Sequence, residues 1–118
     1  MVQTIKERTF PQLVATGSTS AVEVANNHKH SFQVKVAALD TSVVFRIKGS
    51  MDNTNFFTVP LTNTAVAGLA HTANLATVTI DGTYLVQAEA KVNYIALDWT
   101  TENSGTTATL DVRYLGGN

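Results

Sequence analysis

The sequence predicts an all-β protein, an antiparallel β-sandwich or jelly roll of about eight to nine strands, and three observations carry that reading. Apolar and polar residues alternate with period two in short runs, as on half-buried antiparallel strands. Turn residues punctuate those runs at a spacing near ten residues, and no stretch offers a comparable helical face. Charged residues make up only 14% of the chain, well under the roughly 25% usual for soluble domains. Threonine takes their place, with 18 copies beside nine asparagines and six serines; its β-branched side chain suits the solvent face of a strand.

Taken in order, residues 1–11 are polar, contain Pro11 and precede the first clear alternation, so they are expected to form an N-terminal arm or an edge strand. Residues 12–118 are expected to form a single β-sandwich domain. Gln12 to Thr16 and Ala21 to Ala25 are its first short apolar runs. Phe32, Val34, Val36 and Ala38 then share one face against Gln33 and Lys35, and Val43, Phe45 and Ile47 do so against Arg46 and Lys48. Ser50 to Thr54 reads as a hairpin turn into the run Phe56 to Leu61, with Asn53 tolerant of the left-handed conformation. Phe56 and Phe57 are neighbours and must point to opposite faces, so one of them enters a second interface or lies under a loop.

Thr62 to Ala73 is too rich in small residues for a core strand and too apolar for an ordinary exposed loop. It reads as a loop or single helical turn over one end of the sandwich, or as a contact surface. Leu75 to Ile80 and Thr83 to Ala88 flank Asp81-Gly82, a dipeptide that favours a tight two-residue hairpin. Ile95, Leu97 and Trp99 alternate with Asp98, and Trp99 is expected in the core. Glu102 to Thr106 is expected to turn the chain into a last strand, on which Leu110, Val112 and Tyr114 alternate with Thr109, Asp111 and Arg113.

Composition excludes several function classes. The chain has 118 residues, no cysteine and a formal charge of −1. Disulfide frameworks and thiolate metal sites are therefore out, and the charge argues against a general nucleic-acid or anionic-membrane binder. The scaling of area with mass gives a folded surface of about 6,200 Å² against about 18,000 Å² unfolded, enough burial for one core. No apolar run reaches the roughly 18 residues of a membrane span. The opening residues lack the basic-then-apolar order of a signal peptide, so the expectation is a protein made and kept in a cytoplasm unless it leaves as part of something larger.

No constellation of catalytic residues emerges, and the chain is expected to be no enzyme and to need no cofactor. His28 and His30 could both face one side of a strand and offer two metal ligands, but no third is obvious, and they read as a solvated pair. Asp98 and Asp111 lie on strands expected to pair and could approach as glycosidase carboxylates. Arg46, Lys91 and Arg113 are equally available to neutralise them, so ion pairing is the expectation. No serine sits in a Gly-x-Ser-x-Gly elbow, and no glycine-rich loop opens a helix after a strand.

Two stretches carry a family resemblance. Gly49-Ser50-Met51-Asp52-Asn53-Thr54-Asn55-Phe56-Phe57-Thr58-Val59 resembles the "GSLDGTNW" strand-turn-strand of small tailed-phage virion β-sandwich proteins and, more loosely, of discoidin-like jelly rolls. Thr100 to Val112 resembles the closing hairpin of the same phage proteins. The match spans roughly Phe45 to Leu115, and departs from the pattern at Asn53, where glycine is usual, and at Phe56, where tryptophan is. The resemblance implies a virion structural protein, a capsid decoration or cement subunit or a tail component. Its implied partners are other copies of the chain, with a trimer one natural form at a symmetry axis, and major capsid or tail proteins, with neither nucleic acid nor membrane. Low charge fits buried contacts, because interface cores are depleted in charged residues. The expected contact residues are Val2, Ile5 and Phe10 in the arm and Ala65, Val66, Leu69 and His71 in the small-residue segment. The alternative is a carbohydrate-binding jelly roll using Asp52, Asn53, Asn55 and Phe56.

Overall fold

The computed structural model describes residues 6–25, 27–62, 66–72 and 74–117. Among them the regular structure is entirely antiparallel strand, in two sheets, as the alternation predicts. The strands are β1 (Lys6–Thr9), β2 (Gly17–Ser18), β3 (Val22–Glu23), β4 (Lys29–Ala37), β5 (Ser42–Ser50), β6 (Phe56–Val59), β7 (Leu69–His71), β8 (Ala76–Val78), β9 (Gly82–Glu89), β10 (Tyr94–Asn103) and β11 (Thr109–Gly117). One sheet has the order β1-β11-β4-β9. The other runs β2-β10-β5-β8-β7, with β3 also on the far edge of β10 and β6 also on β5.

The core lies between the sheets and is filled by the apolar phase of each strand. Phe32, Val34 and Val36 of β4, Leu110, Val112 and Tyr114 of β11, and Tyr84 and Val86 of β9 face Phe45 and Ile47 of β5 and Ile95, Leu97 and Trp99 of β10. Trp99 is buried as expected, and its indole N–H donates to the Thr101 carbonyl across the bulge between Trp99 and Thr101.

Connectivity departs from the hairpin reading at two of its three turns. The β5–β6 hairpin forms, with Asn53 at φ 59°. Asp81-Gly82, however, links β8 in one sheet to β9 in the other, and Gly82 is not among the positive-φ residues. Asp81 Oδ1 instead accepts the backbone N–H of Leu39, tying two inter-sheet connections together. The segment after Glu102 likewise carries the chain from β10 across to β11 in the opposite sheet, so the expected closing hairpin is a crossover. Asp40 accepts from the backbone N–H and hydroxyl of Thr107, and Glu102 from the N–H of Ala108, which fixes that crossover. Gly105 is needed there because a Cβ would sit 2.0 Å from the Asp40 carboxylate.

Lys6–Thr9 form an edge strand on β11. Gln12 to Thr16 forms no strand; Leu13 makes only an isolated bridge to Leu110. Within Thr62 to Ala73 the chain turns at Gly68, φ 85°, and enters β7, which pairs with β8.

Candidate functional site: the outer face of the four-stranded sheet

The outward phase of β1-β11-β4-β9 forms a continuous surface. Pairing register sets Thr9, Arg113, Gln33 and Leu85 in one row across the four strands, and Glu7, Leu115, Ser31 and Gln87 in the next. Lys35 lies opposite Asp111 beyond one side of these rows, and Lys29 opposite Glu89 beyond the other. Opposite charges in facing positions favour each other. Opposite charges thus face each other at the two ends, and the middle rows carry one acid and one base, Glu7 and Arg113, among uncharged residues. Leu85 and Leu115 project from that middle, 52% and 48% exposed. An open depression of about 570 Å³ runs between them, bordered by Glu7, Arg113, Ser31 and Gln33. A neutral, partly apolar centre with charges at the rim is the anatomy of a protein–protein contact surface. Sequence reading missed this face, although the signal was present: Leu85 and Leu115 are apolar residues in the polar phase of their strands.

The expected contact residues fall elsewhere. Val2, Ile5 and Ala65 lie outside the described residues. Phe10 and Leu69 are buried, 6% and 2% exposed, in the protomer's own core, because each sits where its strand or turn folds inward over the sandwich edge. Both therefore pack in the core of the described protomer and present little surface there. Val66 is exposed and His71 half-buried, on the approach to and end of β7.

Asp98 and Asp111 do not approach on paired strands. β10 and β11 belong to different sheets, so the two carboxylates serve separate faces. Asp98 accepts from Arg46 Nε at 2.8 Å and from the Ser18 hydroxyl, while Arg46 also donates to Thr58 at 2.7 Å. This half-exposed network joins β2, β10, β5 and β6 and is the expected ion pairing. Asp111 accepts from Gln12 Nε2.

The histidine pair is not solvated as a pair. His30 follows the parity of Phe32 and Val34 into the core and is 1% exposed. Its Nε2 donates to the Ala90 carbonyl at 3.0 Å, and its Nδ1 accepts from the Tyr114 hydroxyl at 2.6 Å. The neutral ring with its proton on Nε2 makes both bonds and lets the Tyr114 hydroxyl donate. Burial lowers the His30 pKa, the hydrogen bond to Ala90 offsets part of that, and the nearby charge of His28 lowers it further. Burial also raises the Tyr114 phenol above its usual range, so it stays a donor. Gly116 faces His30 across the strands and leaves space for that hydroxyl, which a Cβ would approach to 2.1 Å. No group of three His, Cys, Asp or Glu side chains among the described residues could hold a metal.

At the β5–β6 tip, Asp52 Oδ1 accepts from the backbone N–H groups of Asn55 and Thr54 and from the Ser50 hydroxyl, and Oδ2 from the Asn55 amide. The hydrogen bonds from Asn55 and Thr54 hold the carboxyl well below the usual carboxylate range. Asp52 and Asn55 thus organise their own turn, and Asn53 supplies its left-handed corner. Phe56 is half-buried with the Lys48 ammonium 4.9 Å over its ring, while Phe57 is 45% exposed.

No protein-family model matches the chain, and no curated protein matches it. Solved structures do. The SPBc2 prophage-derived protein YomS superposes with a TM-score of 0.65 at 11% identity, over 100% of this chain and 96% of that one. The likeness is one of fold. The coat protein of Tobacco streak virus, solved as a dimer, superposes with a TM-score of 0.50 at 8% identity, over 98% of this chain and 85% of that one. Both alignments run through essentially the whole sandwich.

Proposed function

We propose that the chain is a non-enzymatic structural protein of a tailed-phage virion, most specifically a capsid decoration or cement subunit. It stabilises the particle through repeated contacts with copies of itself and with major capsid or tail proteins. The observation that carries this reading is the outer face of β1-β11-β4-β9, whose charges are matched at the ends and whose centre holds two exposed leucines. Its likeness in fold to a prophage-derived protein and a viral coat protein supports the same reading. Many weak copies of one contact on a lattice act together, so a modest single affinity suffices.

The surface is also large enough. Three strands of about eight residues and the four-residue β1, at about 4.8 Å spacing and about 3.3 Å per residue, cover about 450 Å² per copy, the range of a weak contact that repetition on a lattice makes sufficient. The alternative, a carbohydrate contact through Asp52, Asn53, Asn55 and Phe56, is less favoured because Asp52 already accepts four hydrogen bonds within its own turn.

The test is the mass of the purified protein in solution together with co-sedimentation with phage heads and with tails. The expected result is an oligomer, or binding to one of the two particles. A strict monomer that sediments with neither overturns the proposal.

A further inference from the structure

Three linkers converge at one end of the sandwich: residues 24, 25, 27 and 28 between β3 and β4, the start of the β5–β6 tip, and residues 90–93 between β9 and β10. Backbone hydrogen bonds lace them together. Val24 N–H donates to Asn93 O at 2.8 Å, Asn93 N–H to Ser50 O at 3.1 Å, Ala90 N–H to His28 O at 2.9 Å and Asn27 N–H to Val24 O at 2.9 Å. Asn93 Nδ2 adds a bond to Met51 O at 2.8 Å. Between the linkers lies a depression of about 350 Å³, walled by Asn27, His28, Met51, Lys91, Val92 and Asn93. That is the size range of a small-ligand site, which begins at about 300 Å³.

Its chemistry is one-sided. Asn27 is 4% exposed, yet its Oδ1 has no hydrogen-bond partner among the described residues. An unpaired buried acceptor is destabilising, and a donor brought by a ligand relieves it. Among the described residues no carboxylate lines the depression, whereas the exposed ammonium of Lys91 and the imidazole of His28 do. Of the nearby acids, Asp52 accepts four hydrogen bonds within its own turn, and Glu89 lies opposite Lys29 in the β4–β9 register. Met51 and Val92 add an apolar wall. The site therefore asks for a hydroxyl donor, an anionic group and a C–H face in one small molecule.

We propose that this depression binds a monosaccharide unit bearing one carboxylate. A ring hydroxyl donates to Asn27 Oδ1, the carboxylate pairs with Lys91, and the apolar face of the ring rests on Met51 and Val92. The site does not depend on the virion reading, and neither stands or falls with the other.

The test is amide chemical-shift titration of the full chain with glucuronate, with glucose, acetate and glucose 6-phosphate as separate arms. Glucuronate is expected to shift Asn27, His28, Met51, Lys91 and Asn93 saturably at roughly millimolar affinity, with glucose and acetate about tenfold weaker or more. Lys91→Gln is expected to weaken glucuronate about fivefold or more, toward the glucose level, on an unchanged fold. Asn27→Leu is expected to remove binding while leaving the melting temperature unchanged or higher, because it deletes an unpaired acceptor. No saturable shift with glucuronate overturns the proposal. So does acetate matching glucuronate, which would mean a bare anion contact, and so does glucose 6-phosphate binding more tightly than glucuronate, which would assign the site to phosphate.

Discussion

At the scale of single residues, the most consequential arrangement is His30, Tyr114 and Gly116. A buried imidazole is tolerated because both nitrogens are used, and the hydroxyl that uses one of them exists in that place only because Gly116 has no side chain. Tyr114→Phe leaves Nδ1 unpaired in the core and is expected to cost about 1–3 kcal/mol in denaturant unfolding. Gly116→Ala is expected to destabilise as well, by driving the phenol off His30. The pH dependence follows from the lowered His30 pKa. In the unfolded chain the ring protonates near its ordinary pKa of about 6.5, whereas the folded protein resists the proton. The contribution of neutral His30 is therefore complete above that pH and is lost as pH falls through the interval down to the folded pKa, at no more than about 1.4 kcal/mol per pH unit. Chemical denaturation of His30→Gln across that range should give a flatter profile than wild type; parallel profiles would show that other groups govern acid sensitivity. His30 also shows what parity alone makes legible, since it stands in the same phase as Phe32, Val34 and Val36. A polar residue in an apolar phase signals a buried, partnered group, and its partners come from β11 and from the β9–β10 linker, which local sequence does not reveal.

At the scale of elements, β1 is an edge strand with four exposed residues and no alternation. Its sequence Lys6-Glu7-Arg8-Thr9 suits that place. If two copies paired antiparallel about Glu7, the two Glu7 side chains would face each other and Lys6 would face Arg8, both repulsive. Replacing Lys6, Glu7 and Arg8 by threonine is expected to leave stability within about 0.5 kcal/mol while promoting self-association, read by light scattering against concentration. An unchanged monodisperse variant would mean the edge is guarded by something else. Such a strand is nearly invisible in sequence because its charge pattern serves the edge and not a core. The long strands were legible for the opposite reason: Phe32 to Ala37, Val43 to Ile47 and Leu110 to Tyr114 each commit one phase to the interior. Connectivity was less legible. Asp81-Gly82 carries the strongest local hairpin signal, yet the sheet each flanking strand joins is decided by long-range pairing, with Ala76–Val78 on β5 and Gly82–Glu89 on β4. The Ser50 to Thr54 turn was read correctly because there the local preference and the pairing agree.

At the scale of the whole molecule, the shortage of charge gains a location. Charged residues are not thinned evenly; on the outer face of the four-stranded sheet opposite charges face each other at the two ends, and the two middle rows carry only Glu7 and Arg113. Leu85→Asp combined with Leu115→Lys is expected to leave the fold intact, since both side chains are about half exposed, and to lower particle association or oligomer affinity by about tenfold or more. Sedimentation of variant against wild type checks this. Equal association would move the contact surface elsewhere, with the exposed residues around Val66 next in line.

The order β1-β11-β4-β9 places the last strand of the chain in the interior of its sheet, between one of the earliest and its middle partner. Until β11 arrives, β1 has no ladder to join, and β4 and β9 lack the wall supplied by Leu110, Val112 and Tyr114. Pairing between segments this far apart in sequence is slow, because loop closure must precede any reward. A polypeptide cut before Thr109 is therefore expected to keep the strands of the other sheet but to lack the four-stranded face on which contact is proposed. That face becomes available only once the sandwich is complete.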